Sequence, residues 1–180
     1  MMDKASNAIV SLEQILTARE QRAKRQQAWL FQSEHTVVSV TLVWPGERKD
    51  TELARRVMAV ADETLGAVFQ RHHWRVCRHQ TLRPVTGPEA LWSVAAPAWM
   101  IKHVTAHLED THRLGRLWDI DIICPKTGLL KRDAIQQPMR RCFICHEPAH
   151  ACSRARRHSQ AELTRSMEAL IDDYFACQAS

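Results

Sequence analysis

The run Gly115-Arg116-Leu117-Trp118-Asp119-Ile120-Asp121-Ile122-Ile123-Cys124 constrains the fold more than any other part of the chain. Apolar and acidic residues alternate in it with a period of two, and only an extended strand sorts such a pattern onto opposite faces. Trp118, Ile120 and Ile122 fall on one face; Leu117, Asp119, Asp121 and Ile123 fall on the other. The apolar face must meet a core, so the sheet holding this strand needs helices laid against it.

Such helices are available on both sides of the strand. Ser11-x-x-Gln14 has the form of a capping box, opening a predicted helix to about Leu30, with Leu12, Ile15 and Leu16 as its apolar face. Arg19, Arg22 and Arg25, at three-residue spacing, lie near one another on that helix as a basic stripe. Thr36 to Val43 reads as a buried strand ending at Trp44-Pro45-Gly46. Leu53, Val57, Val60, Ala61, Leu65 and Val68 then recur at helical spacing, with Asp50 or Thr51 as cap. Two more strands, Trp74 to Leu82 and Ala90 to Ala95, flank the turn residues Pro84 to Pro88. Pro97 suits the first turn of a helix with Ile101, Val104 and Leu108 inward. Pro125 to Gly128 turns the acidic strand back into a short partner, Leu129 to Arg132, and Ser159 with Glu162 caps a last helix at about 159–177 along Leu163, Met167, Leu170 and Tyr174. This alternation predicts one α+β domain over 1–180, a mixed sheet flanked by helices.

At 180 residues with 45% apolar composition, the chain can bury a core. No apolar run approaches the roughly 18 residues of a membrane helix, and the start lacks the order of a secretory signal. These features predict a cytoplasmic protein with reduced thiols and no membrane association. The net charge of +5 is concentrated around Arg19 to Arg25 and around Arg140 to Arg157, which suits polyanionic ligands.

Two acids side by side on one strand face repel unless a proton or a cation sits between them. Mg²⁺ takes oxygen ligands and is commonly held by one or two carboxylates together with substrate phosphates, so Asp119 and Asp121 point to phosphoryl or nucleotidyl transfer. The alternative for the pair is the solvated face of an edge strand. A second constellation, Cys142-x2-Cys145-x6-Cys152-x5-His158, offers three thiolates and an imidazole within a Cys/His-rich segment at about 140–158. This is the donor set of a structural tetrahedral zinc site, with His146 or His150 as alternatives to His158 and plain thiols as the alternative to zinc.

With Arg19-x-x-Arg22, Pro45-Gly46-x-x-Lys49-Asp50, Gly87-Pro88-Glu89, the Gly115 to Asp121 run, and Arg140-Arg141-Cys142-x-x-Cys145 in this order, the chain resembles the holo-citrate lyase synthase family from about Ser11 to Ala176. The resemblance implies transfer of 2′-(5″-triphosphoribosyl)-3′-dephospho-coenzyme A to a serine of the acyl carrier subunit of apo-citrate lyase. A phosphodiester forms and pyrophosphate leaves, completing citrate lyase for anaerobic citrate fermentation. It implies Asp119 and Asp121 as catalytic Mg²⁺ ligands and Arg116 and Gly115 beside the triphosphate, with Arg19, Arg22, Gly46 and Lys49 as further phosphate candidates. Pro45-Gly46-x-x-Lys49 lies between a predicted strand and a predicted helix, where amides and a lysine can cradle phosphate, although it lacks the full P-loop pattern. Glu109 and His112 are candidates for a third ligand and a base, against a capping or surface role. Polymerase-beta-like nucleotidyltransferases carry a Gly-Ser or Gly-Gly pair well before their acids; here Gly115-Arg116 sits almost against them, so likeness to that fold is analogy.

Two rival functions use the same residues. A zinc-containing nucleic-acid-binding protein would explain the cysteines and arginines but leaves the acids without a task. A metal-dependent phosphohydrolase would use water in place of serine.

Overall fold

A computed structural model describes residues 4–178. Its elements are α1 (Leu12–Ser33), β1 (Thr36–Leu42), α2 (Glu52–Arg71), β2 (Arg75–Leu82), β3 (Glu89–Ala95), α3 (Ala98–Thr111), β4 (Trp118–Cys124), β5 (Gly128–Leu130), α4 (Ala149–Arg154) and α5 (Gln160–Gln178), with single 3-10 turns at Gly115–Leu117 and Asp133–Ile135. No described helix is long and apolar enough to cross a membrane.

The strands form one five-stranded sheet in the order β2-β3-β1-β4-β5, and every pairing is antiparallel. The α+β class agrees with the sequence, but the sheet is not the mixed one expected from alternating helices and strands. The physical reason is a split crossover: α2 returns the chain so that β2 runs in the direction of β1, and β3 then hairpins back into the gap between them.

The two faces are covered unequally. Val38, Val40, Trp92, Val94, Trp118, Ile120 and Ile122 face the main core, against Val57, Met58, Ala61, Leu65 and Phe69 of α2, Ile101 of α3, and Met167, Ile171 and Tyr174 of α5. On the opposite face Val37, Leu91 and Ile123 form a small patch with Trp29 of α1, and Leu30 packs against it. The alternation expected for β4 is thus observed, except that Leu117 lies in the 3-10 turn and joins the main core.

Local signals account for the helix ends. Ser11 and Gln14 form the reciprocal capping box, Thr51 caps α2 by accepting from the Ala54 amide, and Ser159 accepts from the Glu162 amide. The apolar face expected for α1 is a correction: Leu12 and Leu16 are 72% and 49% exposed, while Ala18 and Trp29 are the buried positions. Only the second half of α1 reaches the small apolar patch, and its first half stands over a polar cleft. In α3 the buried set extends beyond Ile101 to Lys102, Thr105 and Glu109, because this helix packs beside β4 at a place where another strand would lie.

That packing demands a glycine at position 115. A Cβ there would lie 2.3 Å from the Leu108 carbonyl oxygen and 2.8 Å from that of Glu109, so the turn entering β4 closes on the end of α3 only without a side chain. Gly115→Ala is expected to destabilise the fold by roughly 1–3 kcal/mol, measured as a lower urea midpoint at unchanged slope.

Candidate active site and Cys/His cluster

Asp119 and Asp121 stand on the α1 side of the sheet, opposite Thr41 and Ser39 of β1. The Ser39 hydroxyl accepts from Gln26 of α1 at 2.9 Å, so Asp121 lies under the helix while Asp119 opens toward solvent. Beside Asp119 is a cleft of about 330 Å³ lined by Arg19, Arg22, Thr41, Trp44, Lys49, Thr86 and Glu89. Four positions singled out in the sequence, Arg19, Arg22, Lys49 and Asp119, therefore meet although the chain separates them widely. Burial, and then the neighbouring Asp119 charge, raise the Asp121 carboxyl above the ordinary value, with Lys102 opposing. Burial lowers the Lys49 ammonium, which donates to the Trp44 carbonyl oxygen. The buried Thr86 hydroxyl on the cleft wall has no hydrogen-bond partner among the described residues.

Glu89, which the sequence marked only as the end of the Gly87-Pro88-Glu89 motif, is a site residue. It opens β3, is 5% exposed, and receives Arg22 Nε at 3.1 Å and the Arg25 guanidinium as well. The signal available was an acid at the mouth of an otherwise apolar strand. Gly87 lets this loop close on Lys49: its φ is +107°, and a Cβ there would meet the Lys49 carbonyl at 3.3 Å.

A second group of side chains closes the outer edge of β4. The β5 partner pairs only with Ile122 to Cys124, and side chains take the backbone groups beyond it. Glu109 accepts from the Ile120 amide at 2.9 Å, Lys102 donates to the Ile120 carbonyl at 3.2 Å, and Arg140 donates to the Trp118 carbonyl at 2.7 Å. Arg132 binds Glu109 at 2.6 Å, and Arg140 reaches Asp119 at 3.3 Å. Burial pulls the Lys102 ammonium down, against the pull of Glu109 and Asp121. Glu109 is therefore committed to strand and arginine. His112 caps α3, its Nδ1 accepts from the Leu114 amide, and its ring stacks on Trp118 on the face away from the acids. Burial lowers the His112 imidazole.

The remaining candidates lie elsewhere. Gly46 and Arg116 border a separate, larger cavity, and Gly115 is buried against α3. Cys142, Cys145, Cys152 and His158 come together with their donor atoms all within 4.8 Å of one another. Cys145 Sγ is 3.3 Å from both Cys152 Sγ and His158 Nε2, whereas His146 and His150 are exposed and outside the group. A tetrahedral zinc ion with bonds of about 2.0–2.3 Å sets its donors roughly 3.5–3.8 Å apart, so this donor set and spacing can hold a metal such as zinc. The Glu147 amide, then His158 and Cys152, pull the Cys145 thiol down to about 6. Burial pushes Cys152 in the opposite direction.

The profile of a family described as "Apo-citrate lyase phosphoribosyl-dephospho-CoA transferase" matches residues 10–174. The chain belongs to this family. Proteins bearing the family's name in Escherichia coli O1:K1 and Shigella flexneri serotype 5b are 39% identical to it over 176 residues, covering 98% of this chain and 96% of theirs. One from Escherichia coli strain SMS-3-5 is 38% identical over the same span. The matched region takes in α1, the whole sheet, the acid pair and the Cys/His cluster. Neither the nucleic-acid-binding nor the phosphohydrolase alternative is favoured.

The transferase should show the cost of its acids in its stability. Because the Asp121 carboxyl is raised, the folded chain holds this proton to a higher pH than the unfolded chain. Its contribution is harmless below the ordinary carboxyl value of 3.8 and becomes destabilising as pH rises from there through the raised value. Asp121→Asn is expected to melt with the native protein in acid and above it near neutrality. Melting temperatures in chelator across about pH 3.5 to 8 check this, and a constant offset would refute it.

Proposed function

We infer that the protein transfers the 2′-(5″-triphosphoribosyl)-3′-dephospho-coenzyme A group to a serine hydroxyl of the acyl carrier subunit of apo-citrate lyase. The family membership supplies the reaction, and the observation that carries it to particular residues is the meeting of Asp119 with Arg19, Arg22 and Lys49 around one cleft, with Asp121 next to Asp119 on the same strand face. In the transfer the serine Oγ bonds to the α-phosphorus of the triphosphate. The bond from that phosphorus to the bridging oxygen breaks, pyrophosphate leaves with the electron pair, and the serine proton passes to solvent or a base.

The residues present suit Mg²⁺: two carboxylates share a strand face, and burial and the Asp119 charge, which raise Asp121, both disfavour a carboxylate that a cation would favour. Asp119 and Asp121 would hold the ion, which supplies Lewis acidity at the reacting phosphate and orients the attacking oxygen. Arg19, Arg22 and Lys49 take the charge of the triphosphate, which favours the charged form of Lys49 where burial disfavours it. Glu89 holds Arg22 and Arg25 in place from below. Lys102, Glu109 and Arg140 position β4, and Arg140 leaves Asp119 when an ion or phosphate takes over its charge.

Zinc bound by Cys142, Cys145, Cys152 and His158 is structural, since four protein donors leave no open position for substrate. We place the transferase in the cytoplasm, where these thiols stay reduced.

Incubation with the triphosphoribosyl donor, Mg²⁺ and the apo-carrier should add the mass of the prosthetic group to the carrier. Asp119→Asn and Asp121→Asn, still folded by circular dichroism, should lower the rate by about 10²–10³-fold. Normal rates in both would sink the assignment of the acids, and donor hydrolysis with an unmodified carrier would point to a phosphohydrolase. Separately, plasma emission should find about one zinc per chain. Cys145→Ala should lose it and melt roughly 5–10 °C lower. Full thermal stability without metal would count against the zinc site.

A further inference from the structure

A cavity of about 620 Å³ lies outside the acid cleft, between the Cys/His segment, the loop after β1 and the start of α5. Its size falls within the range of small-molecule sites. Trp44, Phe143 and Leu163 give it apolar walls, and Arg116, Arg140 and Arg156 bring cationic groups to it. The Arg116 and Arg156 side chains form no hydrogen bond and no ion pair among the described residues. Burial and the adjacent Arg140 both disfavour the charge on Arg116, which an anion would relieve. Unpaired guanidinium groups around an apolar hollow are complementary to a ligand that is part aromatic and part polyanionic.

The cavity and the acid cleft are neighbours: Val43 and Trp44 line both. Arg140 spans them, since it borders the cavity and reaches Asp119 at 3.3 Å. The donor named above also has two anionic centres, a triphosphate on one arm and a diphosphate on the other, with adenosine between.

We propose that this cavity binds the dephospho-coenzyme A end of the donor, its adenine and pantetheine arm against Trp44, Phe143 and Leu163 and its diphosphate on Arg116 and Arg156, while the triphosphate occupies the Asp119 cleft. The identity of the ligand rests on the transferase reading; the existence of a nucleotide site rests on the cavity. The Cys/His cluster thereby gains a role, because Cys142, Cys152 and His158 form part of the cavity wall. The cluster holds in shape a wall that would otherwise be an irregular loop.

Dephospho-coenzyme A itself, which has no triphosphate, is the probe. Calorimetric titration into the full chain should give saturable binding that Ser153→Trp, which fills the cavity, weakens at least tenfold. The exposed Arg156→Glu should do the same and keeps the test open where the tryptophan misfolds. Both should raise the donor KM far more than they lower kcat, and both should leave inorganic tripolyphosphate binding unchanged. Arg19→Ala should show the reverse preference, losing tripolyphosphate and keeping dephospho-coenzyme A. If the chain modifies the carrier but both cavity variants bind dephospho-coenzyme A as the native protein does, the cavity assignment is overturned and the transferase reading stands. If the chain binds dephospho-coenzyme A in a cavity-dependent way but never modifies the carrier, the transferase reading falls and the nucleotide site stands.

Discussion

The fold depends on how the outer edge of β4 is closed. A strand edge facing protein must pair its amides and carbonyls, and leaving even one unmet costs about 1–3 kcal/mol. β5 is too short to reach Ile120, so Glu109 and Lys102 on α3 take its amide and carbonyl, and Arg140 takes the carbonyl of Trp118. The ionised side chains are paired in turn, Glu109 with Arg132 and Arg140 with Asp119, which is what makes their burial tolerable. A helix thus replaces a strand, and Gly115 lets it come close enough.

This closure sets the electrostatics of the neighbouring face. The Lys102 ammonium under Ile120 is felt by Asp121, and the Arg140 guanidinium is shared between the strand backbone and Asp119. The acids are therefore held by a frame that does not depend on α1. The helix brings Arg19 and Arg22 over them from the other side, anchored on Glu89 and by Trp29 in its small apolar patch. Cations on α1 and carboxylates on the sheet meet across a gap, which is an arrangement suited to a bound triphosphate and its metal.

Much of this was legible beforehand where the physics is local. A period of two allows only one division of β4, so the buried face of Trp118, Ile120 and Ile122 and the acid face follow from spacing. The capping boxes at Ser11 and Ser159 marked helix starts because a side chain and an amide three residues away decide them. The donor set of the Cys/His cluster was legible as chemistry, but only the chain path chose His158 over His146 and His150. Glu89 and Arg140 stood out only as members of short motifs and Lys102 not at all, because the role of each is defined by a partner far along the chain, and an isolated Glu, Lys or Arg has no periodicity to reveal it.

The antiparallel order of the sheet belongs to the same class, since inserting β3 between β1 and β2 changes no local pattern. So does the exposure of Leu12 and Leu16, which depends on where the apolar patch under α1 ends. The sequence by itself determined the long helices and the strands, the two faces of the acidic strand and the donor types, since these rest on spacing and on contacts within a turn or two, whereas the short α4 within the Cys/His segment had no such signal. Tertiary structure alone decided which charges meet: it set Arg19, Arg22 and Lys49 beside Asp119, committed Glu109 to Ile120 and Arg132, and turned His112 to the far face. Electrostatic partnership acts through space, and the distances that govern it exist only once the sheet and its helices have packed.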